Sequence, residues 1–417
     1  MDRSHDDLLR DAAARFGTPV YLYDLTRITA QVTELREAFP TARIHYAVKA
    51  NASGAVLRHI ASLGLGAEAL TIGELERSLR AGFPAANIVL GGPGITPELA
   101  QRALMAGVGV VSLDGEGAYD AFKQVTGRPG APTVSAPPRF LVRLNPGFDP
   151  HTHEHLATAA ATSKFGVPMQ EAERLAERVA ADGGLAGFHV HAGSMLRDAE
   201  VASMVVRSLE PLYERFQGLE LVDVGGGFAV PGAPLEAFAA EYAAFAQRFG
   251  VTPIVEPGRV VVAEAGVLLT RVLHVKGAAP RHVIADAGMA DLLRPALYGA
   301  EHPVRMISGA SEQKGVTTDH GAEHPVRAVS GASDQAAVST DVDGPLCENA
   351  DRLAQGVHLG EVAAGDLLSV GQAGAYGFAM ASNYASSLRA AEAVWDGEEL
   401  RLARRRETPE DLWRLET

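Results

Sequence analysis

Lys49 closes a short apolar run, His45-Tyr46-Ala47-Val48-Lys49-Ala50-Asn51, in a chain of 417 residues that contains only five lysines. Desolvation at the inner end of a strand lowers the pKa of an amine, so this lysine is expected to be nucleophilic and able to form a Schiff base with an aldehyde. The residues alone equally allow a lysine whose charge snorkels to solvent. Two glycine-rich turns offer close backbone approach to an anion: Gly225-Gly226-Gly227, and Pro257-Gly258-Arg259 with its guanidinium. Neither matches a dinucleotide fingerprint, and no Walker-type lysine is present. Glu256 precedes the second turn, where a carboxylate can hold a ring nitrogen protonated or merely cap a backbone N–H. His191 with Ser194 offers a ring to stack and a hydroxyl for a phosphate, although a histidine on an apolar strand is also a common core residue. Cys347, the single cysteine, is flanked by Pro345, Glu348 and Asp351, which reads as an exposed acid or base rather than a buried hydrophobe. Tyr376 lies in Gly374-Ala375-Tyr376-Gly377. Jointly these residues describe a site for a phosphate-bearing aldehyde.

The elements that must position them alternate. Strand-like runs over 44–48, 66–70, 87–90, 109–113, 140–144, 187–191, 221–224 and 253–255 are separated by amphipathic segments over 73–81, 97–105, 170–181 and 235–249. Such alternation implies parallel strands joined by helical crossovers, either an open sheet or a (β/α)8 barrel. The barrel is favoured because nearly every run ends in a polar or glycine-rich cluster, and a barrel gathers all such ends on one face. After about residue 265 the texture turns to Val- and Leu-rich strands over 267–275, 282–285, 366–370 and 391–395, which predicts a C-terminal β domain of barrel or sandwich type. The expected boundaries are 24–265 for the barrel and 266–417 for the β domain, joined by residues 1–23. Within the second region, residues 299–320 and 321–342 align at an offset of 22 with 15 identities. Two copies are too few for a solenoid. A surface excursion is expected here in preference to a metal site built on His302, His320 and His324, and no metal is expected elsewhere.

Composition narrows the classes. The formal net charge of −14 argues against a nucleic-acid or anionic-membrane partner. One cysteine excludes an internal disulfide and suits a reducing compartment. The acidic start, Met1-Asp2-Arg3-Ser4-His5-Asp6-Asp7, is unlike a signal peptide, and no apolar run is long enough for a membrane span, so a cytoplasmic protein is expected.

In combination the motifs resemble those of the fold-type III pyridoxal-phosphate decarboxylases. The similarity runs through Tyr46-Ala47-Val48-Lys49-Ala50-Asn51, Gly73-Glu74-Leu75, His151-Thr152-His153-Glu154, Ser163-Lys164-Phe165-Gly166, His189-Val190-His191-Ala192-Gly193-Ser194, Asp223-Val224-Gly225-Gly226-Gly227-Phe228, Glu256-Pro257-Gly258-Arg259, Arg294-Pro295-Ala296-Leu297-Tyr298, Cys347-Glu348 and Gly374-Ala375-Tyr376. The resemblance implies pyridoxal 5'-phosphate on Lys49, with His191 stacked on its ring and Glu256 paired with its nitrogen. Ser194, Gly225, Gly226, Gly227, Gly258, Arg259 and Tyr376 would surround the phosphate. Arg259, Arg294 and Tyr298 would hold a distal carboxylate of the amino-acid substrate and Glu348 its distal ammonium. Tyr376 would also line the substrate, and Cys347 would face the reacting carbon. In the family Cys347 and Glu348 reach the site of a second subunit, which implies a homodimer. The implied reaction is α-decarboxylation of meso-diaminopimelate to L-lysine. A related substrate such as ornithine or a carboxylated polyamine, a non-catalytic regulatory homologue and a racemase are the alternatives. This chain departs from the family at Gly92-Pro93-Gly94-Ile95, where Asn-Asn-Lys is usual, at Glu68 for aspartate, and at Asn349-Ala350 for Ser-Gly.

Overall fold

The structure is a computed structural model, and it describes residues 4–128, 137–148, 163–307 and 338–417. The chain divides into two compact units, one of residues 24–265 with 374–379, the other of residues 1–23, 266–373 and 380–417.

In the first unit eight parallel strands close on themselves: Arg43–Ala47, Gly66–Ala69, Ile88–Leu90, Val110–Leu113, Arg139–Arg143, Leu185–His189, Leu221–Asp223 and Thr252–Val255. Closure is made by Arg43 opposite Ile254 and Ile44 opposite Val255. The strands carry no polar-out alternation because both faces are covered, as parallel strands require. Val89, Val110, Leu141, Ala186, Leu221 and Ile254, one from each of six strands, pack into one buried cluster. The crossover helices show why the amphipathic reading works. Met169–Ala181 buries Ala172, Leu175, Ala176 and Val179, a single stripe at helical spacing. Pro97–Ala106 starts where the Thr96 hydroxyl accepts from the Leu99 N–H and stops at Gly107 in the left-handed region.

The strand bounds differ from expectation where the chemistry lies. The sixth strand was expected over 187–191 but ends at His189, so His191 stands in the turn beyond it. The pairing runs out because the neighbouring strand ends at Asp223, whose carbonyl accepts the last N–H, from Val190. Lys49 likewise lies in a helical turn, Val48–Ala50, and not in the strand itself.

The second unit is mostly sheet. Its long strand Gly266–Lys276 pairs antiparallel with Val20–Asp24, Arg281–Ala285 and Leu367–Val370. The helix His5–Phe16 lays Leu8, Leu9, Ala12 and Ala13 into a core with Val20, Leu22, Leu269, Ala391 and Leu400. Strands Val304–Met306, Ser339–Asp343, Arg352–His358 and Leu400–Arg404 were not foreseen. Most residues of Val304–Met306, Arg352–His358 and Leu400–Arg404 are exposed or half-buried, and Ser339–Asp343 buries Thr340 and Asp341 with only one apolar residue, Val342, so these strands carry little of the apolar pattern that marks a strand. The first copy of the duplication enters the ladder, with Val304 opposite Val370. Most of the duplicated segment, with His320 and His324, lies outside the described residues, as does the motif at 151–154. Among the described residues no helix is long and apolar enough to cross a membrane.

Candidate active site

The barrel unit brings Lys49, His191, Ser194, Gly225, Gly226, Gly227, Glu256, Gly258, Arg259 and Tyr376 to the carboxyl ends of its strands. Lys49 Nζ lies 3.1 Å from Glu68 Oε2; the lysine side chain is 33% exposed and the glutamate 4%, so the amine is the solvent-reachable member of the pair. This overturns the expectation of a depressed lysine pKa. Burial does push it down, but the charge and hydrogen bond of Glu68, first among its partners, outweigh burial and hold the amine above its ordinary value.

Behind the lysine sit two histidines and two acids. His189 Nδ1 is 2.7 Å from Ser112 Oγ, while its Nε2 lies 3.8 Å from both Asp223 Oδ1 and Glu256 Oε2, beyond hydrogen-bond reach. Donor atoms of His189, His191 and Glu256 all fall within 4.8 Å of one another. Both imidazoles are held well below the usual histidine range, by burial first and then by the nearby cations Arg143 and Lys49, so both rings are neutral. His191 Nδ1 accepts from the Gly226 N–H at 3.2 Å, which places the ring proton on Nε2. Glu256 is raised well above the carboxylate range by burial, then by Asp223 and Glu68. Asp223 is itself pushed up to about 7 by burial. Arg143 is neutralised by Asp114 at 2.9 Å, both almost fully buried.

The glycine turn depends on its missing side chains. Gly225 and Gly227 have φ of 67° and 86°, and a Cβ on Gly226 would strike the Glu256 carbonyl. Asp223 Oδ1 accepts from the Gly225 N–H at 2.9 Å and fixes the start of the turn. Across from it, Arg259 Nη2 donates to Ser194 Oγ at 3.2 Å and the guanidinium lies 4.9 Å over the Tyr376 ring. Tyr376 is anchored through its own N–H to the Ala50 carbonyl at 2.7 Å. A phosphate-sized anion finds here a hydroxyl and a guanidinium, together with a glycine turn that leaves room for it.

Arg294, Tyr298, Cys347 and Glu348 belong to the other unit. Arg294 opens the helix Arg294–Tyr298 and contacts His302 Nε2 at 3.0 Å. Cys347 is exposed, as its polar neighbours implied. Glu348 is also exposed and accepts from Tyr384 Oη at 3.2 Å. Sequence reasoning passed over Ser112, Arg143, His189 and Asp223, and weighed His302 only as a metal ligand. His189 and Asp223 stand inside motifs already singled out, but their part shows only once neighbouring strands place them beside Glu256.

Residues 25–263 match the family model for the pyridoxal-binding domain of pyridoxal-dependent decarboxylases, and the chain belongs to that family. The relatives it resembles over its whole length are diaminopimelate decarboxylases. That of Deinococcus radiodurans is 40% identical, covering 98% of both chains, and that of Aquifex aeolicus is 32% identical, covering 96% of this chain and 91% of the other. The crystal structure of the Helicobacter pylori enzyme complexed with L-lysine superposes with a TM-score of 0.85 at 32% identity, covering 98% of each chain. Pyridoxal phosphate is the cofactor of this family, and the residues fit it. The cleft offers a reachable amine, a neutral ring, a buried acid, and a turn with no room for side chains. Among the described residues, buried His189 Nε2 and Asp223 Oδ2 have no hydrogen-bond partner.

Proposed function

We propose that this chain is a pyridoxal-phosphate-dependent carboxy-lyase that converts meso-diaminopimelate to L-lysine and carbon dioxide. The observation that carries the reading is a single reachable amine, Lys49, in the same cleft as neutral His191 and proton-retaining Glu256. The full-length likeness to diaminopimelate decarboxylases supports the choice of substrate.

When bound, the cofactor supplies the electron sink for the bond to the leaving carboxylate. Lys49 would hold its aldehyde carbon, and the neutral His191 ring would pack against its pyridine without adding charge. Glu256, whose surroundings favour the protonated form, keeps a proton at the ring nitrogen. Ser194, Arg259, Tyr376, Gly258 and the turn Gly225, Gly226 and Gly227 hold its phosphate. Arg259, Arg294 and Tyr298 take the substrate's distal carboxylate, with Glu348 on the distal ammonium. An arginine is needed there because a carboxylate requires paired donors, whereas a plain diamine tail needs only acids. Cys347 or Lys49 returns a proton to the α-carbon.

In this reading residues 24–265 form the cofactor domain, and residues 266–417 with 1–23 form the substrate-side domain of a cytoplasmic homodimer. Cys347 and Glu348 serve the partner's cleft. Borohydride reduction of the loaded protein should leave a stable adduct on Lys49, found by peptide mapping. An adduct on Lys164 or Lys276 instead would sink the assignment. Mixing inactive Lys49→Ala and Cys347→Ala chains should restore part of the activity, because one site of each mixed dimer keeps both residues. No recovery after demonstrated subunit exchange counts against the shared site.

A further inference from the structure

His302 lies four residues beyond the helix Arg294–Tyr298 and is 4% exposed. Its Nδ1 is 2.9 Å from the Gly371 carbonyl oxygen, and its Nε2 is 3.0 Å from Arg294 Nη1. A carbonyl only accepts and a guanidinium only donates, so the tautomer is determined: Nδ1 carries the proton and the Nε2 lone pair receives Arg294. The backbone locks this arrangement from the other side. The Gly371 N–H donates to the carbonyl of Pro303 at 2.8 Å, so residues 302–303 and Gly371 grip each other twice. Val304, next in the chain, is paired opposite Val370, which continues the same attachment into the sheet.

We infer that His302 is a positioning residue for substrate recognition: clamped to Gly371, it fixes the guanidinium of Arg294 in the orientation that receives the distal carboxylate. The inference rests on the reading that Arg294 takes that carboxylate. A free arginine side chain must give up much rotational freedom to present two donors in a plane, and a fixed acceptor on one nitrogen removes that cost before substrate arrives. No sequence motif announces the role, since His302 sits within the duplicated heptapeptide Gly299-Ala300-Glu301-His302-Pro303-Val304-Arg305 and reads there as part of an excursion.

L-Lysine retains the carboxylate that is distal in meso-diaminopimelate, and cadaverine lacks it. Calorimetric binding of both to the loaded protein therefore isolates the contact. His302→Ala should weaken L-lysine about tenfold, the size of one lost charged hydrogen bond, and leave cadaverine within about twofold. His302→Gln, which keeps an acceptor oxygen near the Nε2 position, should recover most of the loss. Thermal melting and bound-cofactor absorbance establish that each variant is folded and loaded. Equal weakening of both ligands, or no weakening of either, overturns the inference provided that Arg294→Lys still discriminates against L-lysine. If Arg294→Lys also leaves the ratio unchanged, the assignment of Arg294 fails instead.

Discussion

Lys49 and Glu68 form an ion pair in which the amine is reachable and the acid is not. A carbonyl is attacked by the neutral amine, so the pair restrains Lys49 until a carbonyl compound displaces the interaction. Glu68→Gln removes the largest of the charges that hold the amine up. Capture of pyridoxal phosphate by the apo-protein, followed by its visible absorbance, should then reach half-maximal rate at a lower pH than in the wild type. A midpoint that stays or rises means that Glu68 does not control the amine. Asp223 acts in the same cluster from the opposite side, and its place before the glycine turn explains why the chain needs an acid there. It both fixes the Gly225 N–H and raises Glu256.

At the scale of elements, the duplication is the feature for which the family resemblance offers no precedent. The first copy supplies His302, Pro303 and the strand Val304–Met306, with proline just ahead of the strand where no ladder N–H is needed. Deleting 299–320 brings residue 321 directly after Tyr298, and the same seven residues, with His324 at the spacing of His302, follow in register. Shortening the connection by 22 residues changes closure entropy by only about 1 kcal/mol. The deletion variant should therefore keep its cofactor, and its melting temperature should move by only a few degrees; loss of cofactor binding would make the insert structural. The barrel strands were legible because each couples an apolar run to a polar end, and Leu235–Phe249 was legible to the residue from its apolar spacing. Ser339–Asp343 and Arg352–His358 were not, since each buries a single apolar side chain, Val342 and Leu353, and sheet pairing places the rest. That Lys49, His191 and Glu256 gather at the strand ends could be read from residue type and position. His189 and the raised lysine pKa could not, because both arise from side chains that meet only across strands.

For the molecule as a whole, buried acids set the pH response. Burial and the neighbouring Asp286 raise Asp291 to about 7, and its carboxyl accepts from the Gly288 N–H at 3.1 Å. The unfolded chain releases this proton near pH ~4, whereas the folded one keeps it to about 7. Between those values the folded state binds more protons, so this group's stabilising contribution is full below the unfolded pKa and is lost as pH rises. Asp291→Asn keeps an oxygen for Gly288 and removes the charge. In urea titrations its margin over the wild type should widen between pH ~5 and pH ~8, by on the order of 2–4 kcal/mol at most. An equal margin at both pH values would show that Asp291 ionises without cost. Asp223 contributes with the same sign, so some slope should remain in the variant.

The most direct test of the central claim is the kcat/KM of the purified, cofactor-loaded protein for meso-diaminopimelate beside that for ornithine, with carbon dioxide and the amine product both quantified. One carbon dioxide and one L-lysine per meso-diaminopimelate, with a preference of about 10³-fold or more over ornithine, is the expected result, since a site built around a carboxylate-binding arginine discriminates strongly against a substrate lacking that group. Comparable turnover of ornithine, or carbon dioxide release without L-lysine, would contradict it.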